Sequence, residues 1–162
     1  MPVTTEILAT YRAPGRVMAR LMSDGPREDR ALAILLGACF VMFIATWPNA
    51  SREAILTGQE PQMLMAARLF GVVFVLPLVF YVVALISHGL LRLFGGKSTG
   101  YKARMALFWA LLAASPLALL VGLVGGFIGP GLQLRLTGAV WFAAFAWFWI
   151  AGLRQAGWGE TR

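Results

Sequence analysis

The sequence predicts an all-α integral membrane protein: four transmembrane helices preceded by a short N-terminal amphipathic helix at the membrane interface. Four observations carry that expectation. Of 162 residues, 59% are hydrophobic and 13% charged, against roughly 45–50% and 25% in soluble domains. The mean hydropathy is +0.75. Four apolar runs are each about long enough to cross a hydrocarbon core of roughly 30 Å. Finally, Lys and Arg concentrate on one side of those runs.

The N-terminal segment, residues 1–30, contains no continuous apolar stretch, so neither a span nor a cleavable signal peptide is expected there. Arg12, Arg16 and Arg20 repeat every four residues and share one helix face. Val17, Met18, Leu21 and Met22 fall on another. Such a helix can lie in the headgroup layer with its arginines toward anionic lipid. The plainer alternative is a basic flank that only sets topology.

The membrane domain is expected over residues 31–154. The first span, 31–48, is free of charge and ends at Pro48 and Asn49, with Trp47 at the interface. Residues 49–62 read as a polar connection carrying Arg52, Glu53 and Glu60. The second span, 68–94, is longer than the core needs, so it should tilt or protrude. Pro77 should kink it. The glycine-rich stretch from Gly95 to Gly100 reads as a loop. The third span, 105–128, carries Ser115-Pro116 at its middle. Gly129-Pro130-Gly131 reverses the chain into the fourth span, 136–153. Residues 155–162 read as a short tail.

Counting Lys and Arg by side gives five in the N-terminal segment, four between spans two and three, and two after span four. The opposite side has only Arg52, Arg68 and Arg135. Basic residues remain on the cytoplasmic side. Both termini are therefore expected in the cytoplasm of a bacterium, with the protein in its inner membrane. The same asymmetry accounts for the net charge of +7, so nucleic acid is not an expected partner.

Catalytic and cofactor motifs are sparse. Gly95-Gly96-Lys97-Ser98 resembles the end of a phosphate-binding loop, but that pattern needs a glycine where Leu91 stands, and no strand precedes it. Nucleotide binding is not expected. The one cysteine, Cys39, excludes an intramolecular disulfide. His88, the single histidine, is a weak candidate for cofactor binding; the alternative is an ordinary interhelical hydrogen-bonding residue. No cofactor and no metal site is expected, and the inventory of ionisable groups argues against an enzyme.

Other residues point to packing and binding. Gly122, Gly125, Gly126 and Gly129 form two overlapping small-xxx-small patterns. They suit either close packing against span four or a loosened helix end. Trp141, Phe142, Phe145, Phe148 and Trp149 are too many to face one core, so span four is read as either lipid-anchored or docked on another membrane protein. Arg68 and Arg135, without an acid nearby in the membrane, are expected to snorkel outward. The alternative is an anion site beside the proline kinks.

Several of these features together resemble the Yip-domain (Ypt-interacting-protein) membrane proteins, in their small prokaryotic branch. They are the proline-containing lead from Leu8 to Leu21, the step Arg27-Glu28-Asp29-Arg30-Ala31-Leu32, and a long second span closing on Phe94-Gly95-Gly96-Lys97-Ser98. Tyr101-Lys102 then opens a span with a central Ser115-Pro116. The family has about five spans, one more than is counted here. The resemblance implies a helical bundle with interaction roles and supplies no catalytic residues.

The functional expectation is a non-catalytic accessory, scaffold or assembly subunit of a larger membrane complex, respiratory or photosynthetic for example. Its partners would be membrane lipids and other integral membrane proteins. The alternative is a small transporter or lipid-handling protein.

Overall fold

The structure, a computed structural model, describes residues 3–159. It contains α1 (Val3–Arg12), α2 (Pro14–Ser23), α3 (Glu28–Thr57), α4 (Pro61–Leu69), α5 (Leu76–Leu93), α6 (Gly100–Phe127) and α7 (Leu132–Trp158). A π-helical turn, Phe70–Val75, joins α4 to α5. Four helices are long and apolar enough to cross a membrane: α3, the continuous Pro61–Leu93 unit, α6 and α7. The protein is an all-α, multi-pass membrane protein. The start of α3, the 94–99 loop and the end of α7 lie at one end, the basic end. The 58–60 and 128–131 turns lie at the far end.

The prolines explain where the helices deviate. Proline has no N–H and its ring crowds the carbonyl four residues back. Pro77 is relieved by the π turn, in which the Leu76 N–H reaches the Gly71 carbonyl, five residues back. Pro116 strips the donor from the Leu112 carbonyl, and the Ser115 hydroxyl replaces it at 2.7 Å. Pro48 does not end the first span as expected. α3 continues to Thr57, so most of the predicted 49–62 connection is helix. A proline is tolerated inside a membrane helix when neighbouring helices pack over the disturbed backbone, and here Gly122 and Gly126 of α6 lie against Ala45 and Pro48. Gly58 (φ +67°) then terminates α3 in the left-handed conformation, which glycine adopts without penalty. The last span also exceeds its predicted bounds: α7 runs to Trp158, so the described part of the expected tail, 155–159, is mainly helix. Residues 160–162 lie outside the described part, as do residues 1 and 2.

α6 is the central helix, packed against α1, α2, α3, α5 and α7. Every residue from Met105 to Ser115 is buried. A helix that is apolar all round can only be stable when surrounded, and alanines at 106, 110, 113 and 114 let its neighbours approach. The peripheral α5 is the reverse. Its Leu78, Val82, Leu85 and Leu93 are exposed, as suits a face in lipid.

The N-terminal segment departs most from expectation. It forms two helices in a hairpin, and the apolar face of α2 is buried on protein rather than on lipid. Val17, Met18 and Leu21 are in the core, with the Met18 side chain over Gly152 of α7. α1 crosses α6 well below its start. The Trp109 Nε1–H donates to Thr10 Oγ1 at 3.0 Å, and the Tyr11 hydroxyl donates to the Ala113 carbonyl at 2.9 Å. That carbonyl adjoins the Pro116 bend, where backbone acceptors are released. Tyr11 also meets Phe148 edge-on, with ring centroids 4.9 Å apart. Burial pushes its phenol above the usual tyrosine pKa, which keeps it a donor.

Candidate ligand site at the far end of the bundle

At the far end α3, α4, α6 and α7 line an open cavity of about 380 Å³. Each wall follows from a local feature already described. α3 contributes Thr46 and, because it runs on past Pro48, Asn49. α6 contributes Gly122, which lets α3 approach closely, and Gly125. α7 contributes Trp141. α4 contributes Arg68, which lies on α4 only because that helix begins at Pro61, before the apolar run.

Arg68 does not simply snorkel outward. Its Nη1 donates to the Thr46 carbonyl at 3.0 Å, and its Nη2 pairs with Glu53. Glu53 is the acid that the sequence reading placed in a loop. Because α3 stays helical, it stands opposite α4 instead. Arg68 is about three-quarters buried, its side chain being 23% exposed. A guanidinium has five N–H donors in a planar fork, so donors remain after these two bonds. The Trp141 Nε1–H is buried and has no partner. Asn49 sits against Gly125. The cavity wall is thus rich in N–H donors and otherwise apolar, a setting that favours an oxygen acceptor carrying an apolar tail.

The glycines pack, but not where expected. A Cβ on Gly122 would overlap the Ala45 carbonyl, and one on Gly126 would overlap Pro48. Both face α3, not span four. Gly125 lies beside Asn49 and Leu134. Gly129 (φ +90°) ends the helix, with the Arg52 guanidinium packed against it. Arg135 is exposed near the start of α7 and is not brought to the cavity.

The aromatic residues of α7 divide between inside and outside. Phe145 and Phe148 are in the core, so they are not available for docking. Phe145 stacks between Trp141 and Trp149, one helical turn to either side, and meets Phe80 of α5 edge-on. Trp141 and Trp149 are half-buried. Of the five candidates only Phe142 is exposed, joined on the outer face by Trp147.

At the basic end, Arg12 and Arg16 are exposed as a headgroup contact requires. Arg20 is exposed as well, and in addition donates to Glu6 Oε1 at 2.7 Å. Arg104 pairs with Glu28 across the starts of α6 and α3. His88 is half-buried on α5, its Nδ1 out of solvent and without a hydrogen-bond partner. No group of three His, Cys, Asp or Glu side chains close enough to hold a metal occurs among the described residues.

Sequence reasoning missed the Arg68–Glu53 pair and the docking of Thr10 and Tyr11 on α6. A signal for the first was present: Glu53 follows Pro48 by five residues in a stretch without a glycine. Comparison of the chain with protein-family models, with curated proteins and with solved structures finds no match, so the fold and the geometry of these sites are the ground for any functional reading.

Proposed function

We propose that this is a non-catalytic protein of a bacterial inner membrane that binds an anionic, lipid-like molecule in the far-end cavity. The observation that supports this reading best is the cavity itself: between four apolar helices it is lined by Arg68, whose guanidinium has more donors than its two bonds use, and by Trp141, whose buried Nε1–H has no partner. Polar groups at that depth are costly unless paired or functional. An anionic headgroup or carboxylate would accept from Arg68 and Trp141 while its chain follows the apolar walls.

Quenching of tryptophan fluorescence by brominated phosphatidic acid, with protein in neutral detergent, tests this. Quenching is expected to saturate and to fall sharply in a Trp141→Phe variant. Arg68→Gln should weaken binding about tenfold, since bonds to charged groups contribute roughly 1.5–3 kcal/mol and 1.4 kcal/mol is about a factor of ten. Equal affinity in wild type and Arg68→Gln would remove the reading.

The eleven-to-three split of Lys and Arg supports cytoplasmic termini. In intact cells, an impermeant maleimide should label a cysteine placed at Thr57 and spare one at Thr99. The reverse pattern would invert the topology.

A second reading, an accessory or assembly subunit of a larger membrane complex, draws on the outer face of α7. Phe142 and Trp147 are exposed there, with Trp147 61% accessible. The resemblance to Yip-domain proteins points the same way. A stoichiometric partner retained in mild detergent and lost on Phe142→Ala/Trp147→Ala would favour it. A solitary monomer would count against it.

A further inference from the structure

A second cavity, of about 560 Å³, lies in the basic half of the bundle between α1, α2, α3 and α6. It shares no residue with the Arg68 cavity, and nothing said of it rests on the function proposed above. Leu21, Ile34 and Leu112 make its walls apolar, but two ionisable groups also line it, Glu6 and Arg30. Glu6 is only 8% exposed. Its Oε1 accepts from Arg20 at 2.7 Å, while Oε2 is out of solvent and has no hydrogen-bond partner. An unpaired carboxylate oxygen in such a place is expensive. The last torsion of a glutamate is soft, so Oε2 can turn to a donor seated in the cavity it lines. Arg30 stands near the start of α3, where its Nη1 holds Asp24 Oδ2 at 2.7 Å. Asp24 is itself 57% exposed, and an exposed pair of that kind is weak and readily exchanged.

The cavity opens sideways onto the lipid-facing strip of α3. Ala33, Gly37 and Phe40 lie on that strip and are exposed. A side chain at Gly37 would meet nothing within 4 Å. The opening is therefore real space at the level where acyl chains begin.

We propose that this groove binds an aminophospholipid. Its ammonium donates to Glu6 Oε2, its phosphate is held by Arg30, and one acyl chain runs along Gly37 and Phe40. The chemistry selects this class. The groove offers one buried acceptor and one cation, which matches a zwitterion with a primary ammonium. A choline headgroup has no N–H to give Glu6. A glycerol headgroup brings the negative phosphate but no cation for the carboxylate. A water-soluble amine has nothing to place on the apolar strip.

The test is native mass spectrometry of the full-length protein in mild detergent, titrated with phosphatidylethanolamine, phosphatidylcholine and phosphatidylglycerol of identical chains. Phosphatidylethanolamine is expected to bind at least about fivefold more tightly than either of the others. Gly37→Leu should abolish that preference without lowering the melting temperature, because the new side chain fills open space in an ordinary helical position. Glu6→Gln should also abolish it. Arg20→Ala, which breaks the Arg20 pair but keeps the carboxylate, should retain it and so separate ligand binding from packing of α1. Equal retention of the three lipids by the wild type, or wild-type selectivity in Gly37→Leu, would overturn the proposal.

Discussion

Gly122→Ala is expected to destabilise the bundle by about 1–3 kcal/mol, toward the upper end of what overpacking costs. The added methyl would overlap the Ala45 carbonyl of α3. That atom is backbone inside a 30-residue helix, so no rotamer change can clear it. The two helices must separate, and with them the packing on either side of Gly126 and Pro48. Gly138→Ala is the control. It is also a mid-helix glycine, but its Cβ would meet nothing within 4 Å. It should gain roughly 0.5–1 kcal/mol from helix propensity. Thermal unfolding of both variants in dodecylmaltoside decides the matter, and a Gly122→Ala melting point equal to that of Gly138→Ala would sink the packing argument. The far-end cavity is lined by Gly122, so ligand affinity should fall together with stability.

Trp109→Ala is expected to cost about 3–5 kcal/mol, the range for truncating a large buried aromatic residue. Trp109 is 2% exposed and is one of two points, with the Ala113 carbonyl, where α1 is tied to the central helix. Its loss leaves a void and removes the donor to Thr10. Trp109→Phe keeps an aromatic ring but loses the N–H and part of the indole, so a smaller cost of roughly 1–3 kcal/mol is expected. The two variants should differ in a second readout. Arg12 and Arg16 lie at the turn of the hairpin, and trypsin should cut there faster once α1 is released. Rapid cleavage is expected in Trp109→Ala and slower cleavage in Trp109→Phe. If the cutting rate matched wild type in both, α1 would not be held by Trp109.

What could be read without coordinates was whatever depends on runs and periods. The spans emerge from uninterrupted apolar stretches, and the proline positions mark where the helices deviate. Arginines four apart mark one face of α2 at Arg16 and Arg20, but Arg12 does not share that face, because the helix breaks at Ala13 and Arg12 belongs to α1. Failures came where a local signal was overruled by a neighbour. Pro48 reads as a stop, yet α6 packs over it and the helix continues. The glycines of α6 stand out as a small-residue pattern, but such a pattern does not say which helix it faces. Phe145 and Phe148 look like surface excess on span four, because nothing in a linear pattern shows that Tyr11 and Phe80 will arrive to cover them.

The sequence by itself therefore determined that the chain is a membrane protein, how many times it crosses, and which end is basic. Those properties are sums over a segment's own residues: transfer free energy into lipid and the count of positive charges. Only the tertiary structure decided that α6 is the centre, that α1 and α2 fold back onto it, and that Arg68 meets Glu53 beside a cavity. Those depend on contacts between residues far apart in the chain, such as the 99 residues that separate Thr10 from Trp109. Inside a membrane water does not drive apolar helices together, so shape and the pairing of polar groups select the arrangement.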